Sequence, residues 1–174
     1  MGSAAVQITK LMGFSVYTTA SEKHHGYLKG LGASRVFGYK DEHVVESIVS
    51  AAKEDGLTVQ IAYDAVGQLK ECLEILQQLK GEGTAKVASA VPLSENSPKV
   101  EGVEVKFVAS PVDVKERTEF FRFVFGVWLK EKLEKGEFVP SPKVRVVEGG
   151  LEAANKALDE WRKGVSGVKL VLEA

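Results

Sequence analysis

A chain of 174 residues fits one domain, and its 44% hydrophobic content supplies a sizeable core. Its 23 basic and 24 acidic residues leave a net charge of −1, so no global field recruits nucleic acid or an acidic membrane surface. Cys72 is the single cysteine, which excludes an internal disulfide and an all-cysteine metal site; no signal-peptide pattern or membrane-length apolar run is seen, so the default compartment is cytoplasmic.

Residues 2–11 read as an amphipathic helix with small residues in its first turn. A phosphate-binding fold sets a strand and a glycine-rich turn before such a helix, so that its free N–H groups face a pyrophosphate. The central stretch, FSVYTTASEKHHGYLKGLGASRVFGY over residues 14–39, reads as strand, helix and strand in one right-handed crossover. The first strand is 15–19. Ser21 offers the N-cap oxygen for a helix over 22–31, Gly32 is a left-handed stop, and 34–39 is the returning strand. Ligands bind outside the carboxyl ends of parallel strands, so the loops at 20–24 and 38–40 are expected to share a crevice. The corner holds Thr18, Thr19, Ala20 and Ser21, followed by Glu22, Lys23, His24 and His25. It suits a 2′-phosphate better than a free ribose diol and points to NADP(H). Glu22 argues the other way, since a carboxylate there could accept from the diol; the bland alternatives are a plain cap for Ser21 and a solvated lysine for Lys23.

Asp41 is placed to cap a helix through residue 55, with Val44, Val45, Ile48, Val49 and Ala52 as its apolar stripe and Gly56 as its stop. A buried strand over 57–63 leads into Asp64-Ala65-Val66-Gly67, and a helix over 68–80 turns Leu69, Leu73, Leu76 and Leu79 inward. Further strands follow at 84–91 and at 103–109, the second read as an edge, with polar segment 92–101 between them. The longest helix, 114–136, carries Phe120, Phe121, Val124, Phe125, Val127, Trp128, Leu129 and Leu133 around more than one stripe. It is expected to pack as a core helix between sheet and C-terminal segment, with the lining of an apolar substrate channel as the alternative. Beyond Pro140 and Pro142 come a strand over 143–147, a Gly149-Gly150 turn, a helix over 151–163 with Ala154, Leu158 and Trp161 on one face, and a strand over 168–172.

No usual catalytic constellation is present, and no catalytic residue is assigned. His24 and His25 are adjacent and diverge on a helix, and His43 sits on the next helix, so no metal site is expected. Ser89 has no evident His–Asp support, and Asp64 and Glu71 show no sign of acting as a carboxylate pair.

Four pieces in register carry a resemblance: GSAAVQITKLMGFSVYTTAS, LKGLGASRVFGYKDE, YDAVG at 63–67 and the C-terminal VRVVEGGLEAANKALDEWRKGVSGVKLVLEA. Together they resemble the medium-chain dehydrogenase/reductase superfamily, closest to fungal trans-acting enoyl reductases and their zinc-independent quinone-reductase-like relatives. The resemblance implies an α/β doubly wound Rossmann-type parallel sheet lacking its first strand, plus a C-terminal strand–helix–strand return. Residues 1–139 then form an incomplete NADP-binding domain and 140–174 belong to the catalytic domain, the chain beginning inside a larger protein. Gly2, with Ser3 beside it, falls at the end of the family's glycine-rich turn. Ser21, Glu22, Lys23 and His24 fall on its ribose-phosphate loop, and Tyr39 flanks the 2′-phosphate. Relatives often carry Pro-His-Asn after the serine where this chain has Glu22-Lys23-His24. Ala90, Val91, Val165 and Ser166 fall on the nicotinamide side. The implied reaction is NADPH-dependent reduction of the activated C=C of a small enone or enoyl thioester. The rivals are a catalytically silent nucleotide-binding or interaction module, forming a homodimer through the 103–109 edge strand, and a methyltransferase-like protein, which Lys23 and Tyr39 disfavour.

Overall fold

The computed structural model describes residues 2–173. The chain divides into two compact units, Met1–Phe123 and Val124–Ala174. In the first unit, helix α1 (Gly2–Leu11) precedes β1 (Tyr17–Ala20), a 3-10 turn (Glu22–His24), α2 (His25–Gly30) and β2 (Arg35–Gly38). Then come α3 (Val44–Glu54), β3 (Ile61–Asp64), α4 (Leu69–Leu79), β4 (Ala85–Ser89), β5 (Val103–Phe107) and α5 (Val114–Phe121). A π-helical stretch (Arg122–Trp128) leads into α6 (Leu129–Glu134), β6 (Lys143–Val146), a 3-10 turn (Gly150–Ala153), α7 (Ala154–Arg162) and β7 (Val168–Val171).

The α/β class with parallel strands and without the first strand of the doubly wound order is as the sequence predicts, and the strands form separate sheets. β1 pairs β2, β3–β4–β5 form a second sheet, and β6 pairs β7, all in parallel. β1 and β3 do not pair among the described residues, which leaves the sheet open where the doubly wound order sets its first strand. Three apolar clusters hold the first unit instead. Val6, Val16, Leu28, Leu31 and Ala33 join α1 to the β1–α2 crossover; Val45, Val49, Ala52 and Leu79 join α3 to α4, with Tyr17 of β1 against them; Leu73, Leu76, Ala85 and Val87 join α4 to β4. The α3 and α4 stripes read from the sequence are thus core, because a spacing of three and four places them on one helical face.

Several elements differ from expectation for local reasons. Ser21 keeps the extended backbone of an N-cap, but its side chain makes no capping bond. The first turn is 3-10, and the His24 N–H is taken at 2.8 Å by the Ser21 carbonyl. Asp41 closes a turn rather than capping α3 directly: its Oδ1 accepts from the His43 N–H at 2.9 Å. The strand expected over 57–63 pairs only at Ile61–Asp64, because the Leu57 and Val59 N–H groups go to Ala52 and Leu79 carbonyls at helix ends. Gly32 has φ +109°, and a Cβ there would stand 2.7 Å from Lys10 Cγ, so this stop also admits the end of α1.

The expected core helix is not one. No residue of α5, the π-helical stretch or α6 is buried, and Phe120, Phe121, Phe123, Phe125 and Val127 are exposed. Apolar residues wrap most of its circumference, and one contact face cannot cover them. Within the second unit, Trp128 meets Phe138 edge-on at 6.3 Å. There α7 and the 3-10 turn before it also turn a different face inward: Ala153 of the turn and Ala157 of α7 are buried with Val147, while Leu158 and Trp161 are exposed.

A polar cluster ties the first crossover to α3. Arg35 donates through Nε to Asp55 Oδ2 at 2.9 Å and through Nη2 to Oδ1, and the Tyr17 hydroxyl donates to the same carboxylate. Arg35 and then Tyr17 hold the Asp55 carboxyl below the usual range, while burial and the bond to Asp55 push the Tyr17 phenol up to about 12. The signs are opposite. The Asp55 contribution to stability is complete above its unfolded pKa and is lost as pH falls through the lowered folded value; the Tyr17 contribution is complete below its ordinary value of 10.0 and is lost as pH rises toward about 12. Asp55→Asn is therefore expected to lower the neutral-pH melting temperature and to flatten its decline below about pH 4, read by thermal melts across pH. Ser21→Ala is expected to leave stability unchanged. Asp113→Ala, which removes the carboxylate that accepts from the Glu116 N–H at 2.9 Å, costs about 1 kcal/mol in a denaturant melt.

Candidate functional site

Parallel pairing brings β1 and β2 to a common carboxyl end at Ala20 and Gly38, and the register places the two residues side by side. The segments that follow are Ser21–His24 and Tyr39–Lys40. The Ala20 carbonyl accepts from the Tyr39 N–H at 3.3 Å and from His25 Nε2 at 3.2 Å. A carbonyl can only accept, so His25 carries its proton on Nε2. This fastening joins the two loops at their roots. Ser21 and His24 are half-buried, while Glu22, Lys23 and Tyr39 are exposed. Lys40, at the end of the 38–40 loop, sets its ammonium 5.9 Å from the centre of the Tyr39 ring. Two ammonium groups, a serine hydroxyl and a phenol on adjoining loops form a donor set suited to a phosphate monoester. Glu22 is the opposing charge in that set.

A second group of strand ends lies on the β3–β4 pair, where Asp64 and Ser89 are register partners and the last residues of their strands. They are also two of the buried polar side chains, at 2% and 1% exposure. Asp64 Oδ1 accepts from the N–H groups of Val66 (3.1 Å), Gly67 (2.7 Å) and Gln68 (2.9 Å), which makes it the organiser of the turn into α4. Its Oδ2 lies 3.5 Å from Ser89 Oγ. Ser89 Oγ donates to the Val91 carbonyl at 2.8 Å and accepts from the Val91 N–H at 3.1 Å, while the Ala90 N–H goes to the Asp64 carbonyl at 2.8 Å. Of the backbone groups of Ala90 and Val91, the Ala90 carbonyl alone accepts nothing among the described residues. The two loops also touch: a Cβ on Gly67 would stand 3.7 Å from Val91 Cγ2. The start of α1 lies against the same turn, since a Cβ on Gly2 would stand 4.0 Å from the Ala65 Cβ.

The structure thus gathers the sequence-derived candidates into two strand-end groups. Ser21, Glu22, Lys23, His24 and Tyr39 form one; Gly2, with Ser3 next in α1, joins Ala90 and Val91 in the other. Val165 and Ser166 lie in the second unit, half-buried and exposed respectively, in the turn between α7 and β7. An open apolar groove of ≈ 680 Å³ in that unit includes Val165, with Leu158, Trp161 and Leu170 along it. The sequence shows no catalytic company for Asp64 and Ser89, and their structural role is not legible in it as read above. The signal available was an Asp four residues before the N-cap Gln68 of α4, the spacing of a turn that caps it. Burial, then the Asp64 and Glu71 charges, push the Cys72 thiol up to about 11, away from the thiolate form that a nucleophile needs. Among the described residues no group of three or more His, Cys, Asp or Glu could hold a metal, and no helix is long and apolar enough to cross a membrane.

Residues 1–127 match the zinc-binding dehydrogenase family. The chain is 42% identical over 173 residues to the trans-enoyl reductase tndF of Aspergillus flavipes, covering 99% of this chain and 50% of that protein. It is 44% identical over 119 residues to the trans-enoyl reductase tazE of Aspergillus terreus, covering 68% and 39%. Solved structures of the same fold include CurA in complex with NADPH from Vibrio vulnificus, at TM-score 0.65 and 19% identity over 99% of this chain and 53% of that one. The quinone oxidoreductase of Coxiella burnetii matches at TM-score 0.66 and 21% identity, covering 99% and 49%. The chain spans about half the length of the curated relatives it matches.

The turn into α4 supplies a direct test of this geometry. Asp64→Ala leaves three N–H donors without their acceptor and is expected to cost about 3 kcal/mol in a denaturant melt; a loss under about 1 kcal/mol would mean that water replaces the carboxylate.

Proposed function

Because this chain belongs to the zinc-binding dehydrogenase family of the medium-chain dehydrogenase/reductase superfamily, we propose that it is the cofactor-binding part of an NADPH-dependent reductase acting on an activated C=C. The observation that carries the cofactor is the paired strand end at Ala20 and Gly38, where Ser21, Lys23, Tyr39 and Lys40 converge on adjoining loops. The relatives named trans-enoyl reductase carry the reaction class, and the substrate proposed is a small enone or enoyl thioester.

In this reading the residues fit the cofactor's charge. Lys23 and Lys40 give the 2′-phosphate two ammonium partners, and Tyr39 covers its adenosine side. Ser21, whose hydroxyl is not spent on a helix cap, donates to a phosphate oxygen. Glu22 points the preference less strongly than a neutral residue would. The α1 N-terminus at Gly2 and Ser3 takes the pyrophosphate, with the positive end of the helix dipole as the attraction. Ala90 and Val91 serve the nicotinamide side through backbone groups. When bound, the cofactor supplies the hydride, and the protein's part is orientation and polarity. The reductase works without zinc and in the cytoplasm.

A second reading, a silent module that pairs with a copy of itself, draws on β5, which bonds β4 alone and leaves its other edge open among the described residues. Calorimetric titration separates the two. NADPH is expected to bind at least about tenfold more tightly than NADH, with the preference lost in Lys23→Gln. Equal affinities, or tighter NADH binding through Glu22, end the NADPH assignment; no binding of either leaves the second reading.

A further inference from the structure

We propose that Ser89 is a positioning residue for the nicotinamide end of the cofactor, acting with Asp64 as a buried latch between the β3 and β4 loops; this rests on the NADPH reading above. The two side chains end neighbouring strands at register partners, and both are almost wholly buried. Asp64 Oδ1 takes three successive N–H groups of one loop, and Ser89 Oγ takes both the N–H and the C=O of Val91 in the other. The Ala90 N–H closes back on the Asp64 carbonyl. Nothing else in strand packing calls for this. A serine buried to 1% could be an alanine or valine at less desolvation cost, unless its hydroxyl is needed to hold a loop.

The Ser89 hydroxyl has one proton and two acceptors, the Val91 carbonyl at 2.8 Å and Asp64 Oδ2 at 3.5 Å. Its proton lies with Val91 in the shorter bond. A ligand N–H that claims the Val91 carbonyl lets the hydroxyl turn to Asp64, so the loop gains a ligand contact without leaving a buried donor unpaired. The latch therefore fixes the Ala90–Val91 backbone beforehand, with the Ala90 carbonyl free to accept, and supports one further contact at Val91. Such pre-organisation reduces the ordering cost of binding at that end of the dinucleotide and leaves the Ser21–Tyr39 end untouched.

The test compares NADPH with 2′,5′-ADP, which carries the adenosine and 2′-phosphate end but no nicotinamide. Ser89→Ala is expected to weaken NADPH about tenfold while 2′,5′-ADP changes by less than about twofold, and to diminish the fluorescence change of the bound reduced nicotinamide. Affinities that fall together, or do not fall, overturn the positioning role. Wild-type protein that binds 2′,5′-ADP and NADPH equally also overturns it, whereas wild-type protein that binds neither overturns the NADPH reading on which it rests. Amide exchange on the unsubstituted protein decides the matter should Ser89→Ala not fold. The Val91 and Gly67 N–H groups are expected to exchange at least about tenfold more slowly than unprotected loop amides before any ligand is added; rapid exchange at both overturns the latch.

Discussion

A carboxylate buried to 2% has to be satisfied by the groups around it, and Asp64 is satisfied by the backbone of the turn it precedes. That constraint fixes much of the first unit. The turn takes one path because three N–H groups must converge on Oδ1. Helix α4 then starts at Leu69, and its Leu73 and Leu76 land on Ala85 and Val87 of β4. Pairing of β3 with β4 ends at Asp64 and Ser89, and the loop beyond β4 is tied to the same residues. A packed apolar cluster alone would tolerate small sliding of α4 along the sheet; a carboxylate holding three N–H groups within 3.1 Å does not.

The β1–β2 end is built differently, and the difference suits a charged ligand. Its fastening is a single carbonyl, that of Ala20, taken by Tyr39 N–H and His25 Nε2. Above it Glu22, Lys23, Tyr39 and Lys40 are exposed, with the charged groups in water. Behind it, Arg35 and Tyr17 meet on Asp55 and connect the crossover to the end of α3. A bidentate guanidinium–carboxylate pair fixes direction as well as distance, so it sets how α3 approaches β1 and β2 while Val45, Val49 and Ala52 supply the apolar contact. One strand end is thus rigid through buried hydrogen bonds, and the other is an exposed polar surface on a stiffened base.

Exposure of the aromatic residues from Phe120 to Val127 is the sharpest departure from what their composition suggests. Burial of such a helix depends on what stands beside it, and no residue of α5, the π-helical stretch or α6 finds enough neighbours to be buried. The same holds on a smaller scale in α7. Leu158 and Trp161 are the large apolar residues, yet Ala153 and Ala157 are the ones that meet Val147, because close approach of helix to strand favours the small side chains.

What the sequence determined by itself was local. Periodicity placed α3 and α4 and their inward stripes, β-branched runs placed β1, β2 and β4, and glycines such as Gly32 and Gly56 ended helices with the positive φ the chain there adopts. The family's motifs likewise lie in short contiguous pieces, which is why the loop candidates at Ser21–His24 and Tyr39 are legible in the sequence. Tertiary structure decided everything that depends on a partner distant in sequence. Ser21 has the composition of a cap but loses that role to its own carbonyl in a 3-10 turn. Leu57 and Val59 have the composition of a strand, and their N–H groups are claimed by Ala52 and Leu79. Asp64 and Ser89 stand 25 residues apart, and nothing in either local stretch announces the other. A side chain's periodicity and a backbone's turn preference are encoded within a few residues; which donor meets which acceptor, and which apolar face finds cover, is settled only by the packing of distant segments.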